Sequence, residues 1–135
     1  MTALASFSLQ QAVVTTLKAN SALQALLNDR VFDVVPVRAA YPYLAYGPVN
    51  LRDWSTGSNG GQEHGVSISV YSQQPGFREA YSIADAIVAA LEAAALTLSG
   101  HKLVLFRFDT AEFRRETDTL TTRGVVTFRA LTEKL

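Results

Sequence analysis

The stretch HGVSISVYSQQPGFREAYSIADAIVAALE, from His64 to Glu92, contains two different periodicities and decides the fold class. In its first part apolar and polar residues alternate, which predicts a strand over Gly65–Ser72 with one apolar face. In its last part apolar residues recur at helical intervals, which predicts a helix from about Phe77 to Ala95. Residues 73–76, Gln-Gln-Pro-Gly, form the turn that joins the two elements.

The predicted helix is rich in alanine, so it can lie close to a sheet. We expect one side to be apolar, formed by Phe77, Tyr81, Ala84, Val88, Leu91 and Ala95. We expect a narrow solvated stripe opposite, formed by Arg78, Ser82, Asp85 and Glu92. Gly100 marks the break after this helix.

The N-terminal part of the chain predicts two more helices. The first runs from about Leu4 or Ser8 to Ala19 and the second over Ala22–Leu27. Ser8 and Ser21 each precede a glutamine by three residues, which is capping-box spacing. Residues 28–29, Asn-Asp, end the second helix.

Further strands surround the opening stretch. A short β-branched run covers Val31–Val35, and Tyr41–Leu51 reads as a strand whose two prolines belong at its start, an edge or a bulge. Lys102–Arg115 and Leu120–Leu131 form a long C-terminal hairpin. The sequence thus predicts an α+β fold: one domain over residues 1–135, with helices packed against a mostly antiparallel sheet.

Composition narrows the function classes. The chain has 135 residues, 48% of them hydrophobic and 18% charged, which is typical of a folded globular protein. Twelve basic and twelve acidic side chains cancel, so no bulk charge attracts nucleic acid or an anionic membrane. There is no cysteine, and no stretch reaches the roughly 18 apolar residues of a membrane span. We expect neither a disulfide nor membrane association.

The sequence carries no recognisable catalytic pattern. His64 and His101 are its two histidines, and neither has a second histidine at metal-ligand spacing. Glu63 and His64 are adjacent in a strand, so their side chains point to opposite faces. No nucleophile elbow or phosphate-binding loop is present. We expect no catalytic residue, no metal ligand and no cofactor.

A connecting segment rich in glycine and serine follows the Tyr41–Leu51 strand. Trp54, the one tryptophan of the chain, lies at its start. Either this is a tolerated surface loop, with Trp54 packed on its own sheet, or it is an assembly loop that orders on contact, with Trp54 as an anchor. The predicted mobile loop comprises Asp53, Gly57, Ser58, Asn59, Gly60, Gly61 and Gln62.

The end of the C-terminal hairpin is the second candidate interface. It combines both charge signs with one aromatic side chain, in Phe113, Arg114, Arg115, Glu116 and Asp118. Because both strands are long, we expect this end to project beyond the core. Mixed charges favour a matching protein surface over phosphate binding. The alternative is a solvated face with weak ion pairs.

The order of these sequence segments resembles that found in a known protein family. The matching runs are LQALLNDRVFDVVP (23–36), YPYLAYGPV (41–49), HGVSISVYSQQPGFREAYSIADAIVAALE (64–92) and LTLSGHKLVLFRFD (96–109). They are similar to the small tail-completion proteins of long-tailed phages, prophages and gene transfer agents, also called tail terminators or head–tail joining proteins. The resemblance covers nearly the whole chain and rests on the order and spacing of its pieces.

The resemblance implies a structural particle protein at the head–tail junction, assembled in the host cytoplasm. The expected partners are further copies of itself in a six-fold ring, the major tail tube protein and the head connector or stopper. DNA would pass through the ring without sequence-specific binding. Two alternatives stay open: a head-completion adaptor on the portal side, and a small ligand-binding or enzymatic α+β domain.

Overall fold

The structure, a computed structural model, describes residues 4–55, 60–117 and 120–135. In chain order its elements are α1 (Ser6–Ala19), α2 (Ser21–Leu27), β1 (Val31–Phe32), β2 (Tyr43–Asp53), β3 (Gly61–Ser72), α3 (Arg78–Ala93), β4 (His101–Arg115) and β5 (Thr122–Lys134). The strands form one sheet in the order β1-β2-β3-β5-β4, antiparallel except for the short β1–β2 pair. The predicted α+β class and long C-terminal hairpin are confirmed.

The core lies between one face of the sheet and the helices. Alternation along the two central strands buries Val66, Ile68 and Val70 of β3, and Val126, Phe128 and Ala130 of β5, as predicted. Helix α3 covers them with Ile83, Ile87 and Leu91, and α1 packs beside α3 through Leu9, Val13 and Leu17. Full burial of each large aliphatic side chain stabilises the fold by about 1.5–3 kcal/mol.

The buried face of α3 differs from the predicted one. Tyr81 is 49% exposed and Val88 is only partly buried, whereas the fully covered row is Ala80, Ile83, Ala84, Ile87, Ala90 and Leu91. Alanines occur on all sides of α3, so the sequence does not show where the centre of its apolar face lies. Tyr81 and Val88 therefore lie at the margin between the helix and β4.

The predicted capping boxes are wrong in both N-terminal helices. Ser8 lies inside α1, where its Oγ donates to the carbonyl of Ser99 at 3.0 Å. In α2 the cap is Asn20, whose side chain accepts from the backbone N–H of Leu23 at 3.0 Å. Asn28 ends α2 in the left-handed region, as residues 28–29 predicted.

The limits of two strands also differ from the predicted ones. β1 is limited to two residues, and β3 begins at Gly61, four residues earlier than predicted. Pro48 lies at the register shift between Tyr46 and Val49, in agreement with the prediction of a bulge. In β4 a register shift beside Val104 leaves this residue 42% exposed.

Candidate assembly surfaces

The second face of the sheet carries polar side chains, and none of the helices within the described ranges covers it. Near one end of β3 the Glu63 carboxylate bridges Arg129 Nε at 2.5 Å and Arg52 Nε at 3.4 Å. The hydrogen bond from Arg129 holds the pKa of Glu63 below its usual range. Ser67 of β3 and Thr127 of β5 lie opposite each other, and their hydroxyls form a hydrogen bond of 3.1 Å. Several polar side chains of this open face are thus paired with one another.

The hairpin end, predicted to project beyond the core, contacts the start of α3. The Arg115 guanidinium lies 5.5 Å from the centre of the Phe77 ring. Thr122 is fully buried, and its hydroxyl donates to the carbonyl of Gly76 at 3.4 Å. The Glu116 N–H donates to the carbonyl of Thr121 at 2.7 Å. Of the predicted interface residues here, Arg114 and Arg115 are exposed.

Phe113, the aromatic residue of the predicted interface, is half-buried. Its ring meets Tyr81 edge-on, with centroids 4.8 Å apart. It lies over Gly124, where an added Cβ would come within 2.7 Å of the ring. Phe113 therefore belongs to the wall between α3 and the hairpin. Asp118 lies outside the described residues.

The link between β2 and β3 is shorter than the predicted mobile loop. Asp53 and Gln62 are paired strand residues, and Gly61 begins β3. Trp54 is half-buried, and its backbone N–H donates to the carbonyl of Gly61 at 2.8 Å. The carbonyl of Gly60 accepts from the Lys134 N–H, also at 2.8 Å. The predicted loop residues Gly57, Ser58 and Asn59 lie outside the described residues.

An apolar groove runs between α3 and the edge strand β4. It encloses about 320 Å³, and its lining is Tyr81, Ala84, Asp85, Val88, Phe108, Ala111, Phe113 and Val126. Phe108 is 38% exposed although its ring contacts the core residue Phe128. The groove is open because β4 is the last strand of the sheet and presents the small side chain of Ala111 beside α3. Sequence reasoning missed it by assigning Tyr81 and Val88 to the buried face.

An exposed turn lies at the opposite edge of the sheet. It follows β1, and the Ala39 N–H closes it by donating to the carbonyl of Pro36 at 3.2 Å. Val37 is 100% exposed at its tip, and Val34 is 83% exposed before it. The sequence indicated a break here, because Pro36 interrupts a run of valines, but it did not indicate that Val34 and Val37 are exposed.

The base of this turn is held by aromatic rings. Tyr43 packs against Phe32 and Tyr41, with ring centroids 5.8 and 5.2 Å apart, and stacks on Tyr71. Burial, helped by the neighbouring Tyr41, raises the pKa of Tyr43 to about 12. Burial also raises the pKa of Tyr46. These phenols stay neutral and anchor the edge.

Both histidines are buried on the helix-covered side of the sheet. His64 Nε2 lies 3.0 Å from the Thr132 hydroxyl, and its Nδ1 has no hydrogen-bond partner. Burial, with a smaller contribution from nearby His101, lowers the pKa of His64. Among the described residues no three His, Cys, Asp or Glu side chains cluster as a metal site would require. Both histidines are therefore buried polar residues of the fold.

Comparison with known proteins shows the family. The sequence profile of the family "Tail completion protein gp17" matches residues 11–133 of the chain. The chain belongs to this tail completion family. No curated protein sequence matches it significantly. Within the described ranges, no helix is long and apolar enough to cross a membrane.

Two solved structures share the family's fold. A chain of the virion of a native gene transfer agent particle is 35% identical and superposes with a TM-score of 0.90. That match covers 96% of this chain and 97% of the other. The gp17 protein of bacteriophage SPP1 is 25% identical with a TM-score of 0.65, over 93% and 89% of the two chains. The resemblance to tail-completion proteins is confirmed, and the tail completion family is one of structural proteins of phage and gene transfer agent particles.

Proposed function

We propose that the protein is the tail terminator of its particle: a closed ring that caps the finished tail tube and joins it to the head connector. The observation that carries this proposal is the match, over nearly the full length of both chains, to a gene transfer agent virion protein. A six-fold ring, with the tube protein and the connector as partners, is the arrangement that the family resemblance implies. The expected role is structural, without a catalytic step.

The exposed edge of the sheet supports a subunit that assembles. Strand β4 has 15 residues and lies at the edge, so its outward backbone groups face away from the sheet. In a closed ring each contact joins two different surfaces of neighbouring subunits. We place one of these surfaces on the C-terminal hairpin, with Arg114, Arg115 and Glu116 at its end. Trp54 and its link are proposed to meet the tube or the connector.

A particle assay tests the terminator role. We expect deletion of the gene to give filled heads and tails that do not join, and purified protein added to those tails to restore joining. Native mass spectrometry of the protein with and without tube protein should show a closed oligomer. Normal joining without the protein would contradict the proposal. Restoration after binding to tail-less heads, instead of tails, would favour the head-side adaptor.

The contribution of the hairpin end is tested by charge reversal. Arg114→Glu should weaken association while the monomer stays folded, because exposed substitutions usually change stability by less than about 0.5 kcal/mol. Arg115 is a poorer choice, since its guanidinium packs on Phe77. Lys18→Glu, on the exposed side of α1, makes the same charge change far from the hairpin. Equal sedimentation of both variants would remove the hairpin end from the interface.

A further inference from the structure

Two unpartnered apolar features lie at opposite edges of the same sheet. The groove between α3 and β4 leaves Tyr81 49% and Phe108 38% exposed, and it borders the last strand at one edge. The Val37 turn follows β1 at the other edge, and its tip is wholly exposed. Within the described residues, neither feature is covered by another part of the chain.

We propose that the Val37 turn of one subunit inserts into the α3–β4 groove of the next. The inference rests on the proposed ring and names its two complementary surfaces. A head-to-tail contact needs a different patch on each side of the subunit, and a projecting turn and a recess at opposite sheet edges meet that need. Repetition of the contact around the ring would cover both apolar features in every subunit.

Size and charge agree with this occupant. A cavity of about 320 Å³ has room for a valine side chain with its flanking backbone. Arg38 follows Val37 directly, and Asp85 lines the groove; both are exposed and neither is in an ion pair within the described ranges. Val37 in the groove would bring these opposite charges to the same rim. The turn is also preorganised by its Ala39–Pro36 hydrogen bond and its aromatic base, which lowers the entropy lost on binding.

The absence of cysteine from the whole chain permits a direct test. The double variant Val37→Cys/Ala111→Cys should form disulfides between neighbouring subunits when the assembled ring is treated with a mild oxidant. A ladder of covalent oligomers up to the full ring is expected on denaturing gels. Mixing the two single-cysteine variants should give a covalent dimer as its largest heterologous product.

The matched control is Val37→Cys/Ala89→Cys. Ala89 lies in an alternative groove, formed by small residues of α1, α2 and α3. If the ring forms by native mass spectrometry but Val37→Cys crosslinks to position 89, or to neither position, the inference is wrong while the ring stands. If no oligomer forms even with tube protein, the ring proposal fails and the inference fails with it.

A second variant tests the energetics without crosslinking. Val37→Asp would place a carboxylate in the apolar groove, and we expect subunit association to weaken roughly tenfold or more. The monomer should keep its stability, because Val37 makes no buried contact. Leu135→Asp, at another exposed apolar position, serves as the control. Equal association of the two variants by sedimentation equilibrium would overturn the proposal.

Discussion

The two faces of the central sheet carry different chemistry on the same strands. On β5, Phe128 points towards the helices and is fully buried, while its neighbour Thr127 points to the open face and bonds to Ser67. The covered face is held by area removed from water, and the open face by pairs of polar groups that could equally bond to water. Stability should therefore be concentrated on one side of the sheet, which leaves the other side free to vary.

The largest expected effect is a difference in stability loss between substitutions of two adjacent residues that point to opposite faces of the sheet. Phe128→Ala removes a ring that packs against Phe106 and Phe108, at 5.1 and 6.2 Å between centroids, and should cost about 3–5 kcal/mol of unfolding free energy. Thr127→Ala removes one hydroxyl pair and should cost about 1 kcal/mol or less. Urea unfolding followed by circular dichroism measures both. Comparable losses would show that the open face carries more of the stability than its contacts indicate.

A pair of glycines gives a finer comparison. A Cβ at Gly124 would lie 2.7 Å from the half-buried Phe113 ring, so Gly124→Ala should destabilise the protein by about 1–3 kcal/mol. For a Cβ at Gly65, on the open face, the three nearest atoms all belong to the exposed side chain of Asn50, which can rotate away. Gly65→Ala should therefore change stability by less than about 0.5 kcal/mol. Thermal unfolding of the two variants measures both changes. A larger loss of stability for Gly65→Ala than for Gly124→Ala would show that the open face is the more tightly packed one.

The smallest expected effect is a pH dependence from the covered face. Because burial lowers the folded-state pKa of His64, its unfolded form binds more protons as the pH drops below about 6.5. Its contribution to stability is complete above that pH and is lost as the pH falls through the folded pKa. His64→Gln should flatten the stability profile between about pH 7 and 5. Identical profiles for the parent and His64→Gln would place the titration elsewhere.

Sequence periodicity predicted the elements well where one face is buried and the other is polar. The strands around Ile68 and Phe128 alternate cleanly, so their faces were assigned correctly. Helix α3 was harder, because alanines fill its surface and Tyr81 could belong to either side. The contact of Arg115 with Phe77 at the hairpin end could not be predicted, because it joins distant parts of the chain and leaves no local signal in the sequence.

The candidate site shows the same limit. The hydropathy of Val34 and Val37 favours burial, yet the fold leaves both exposed because they lie in a turn beyond the edge strand. The groove is formed by side chains of three separate elements, α3, β4 and β5. Only the tertiary arrangement reveals such a surface, whereas the family could be identified from the order of local segments.

The unbroken pairing of β3 with β5 has a mechanical consequence. The ladder runs without a register shift from Gly61 to Ser72, while both flanking ladders contain shifts. Antiparallel hydrogen bonds lie across the strands, so tension along the strands loads the whole seam at once, and tension across them opens it one bond at a time. A subunit built in this way is anisotropic: stiff to shear and weak to peeling. How well it transmits force depends on the direction from which its neighbours pull.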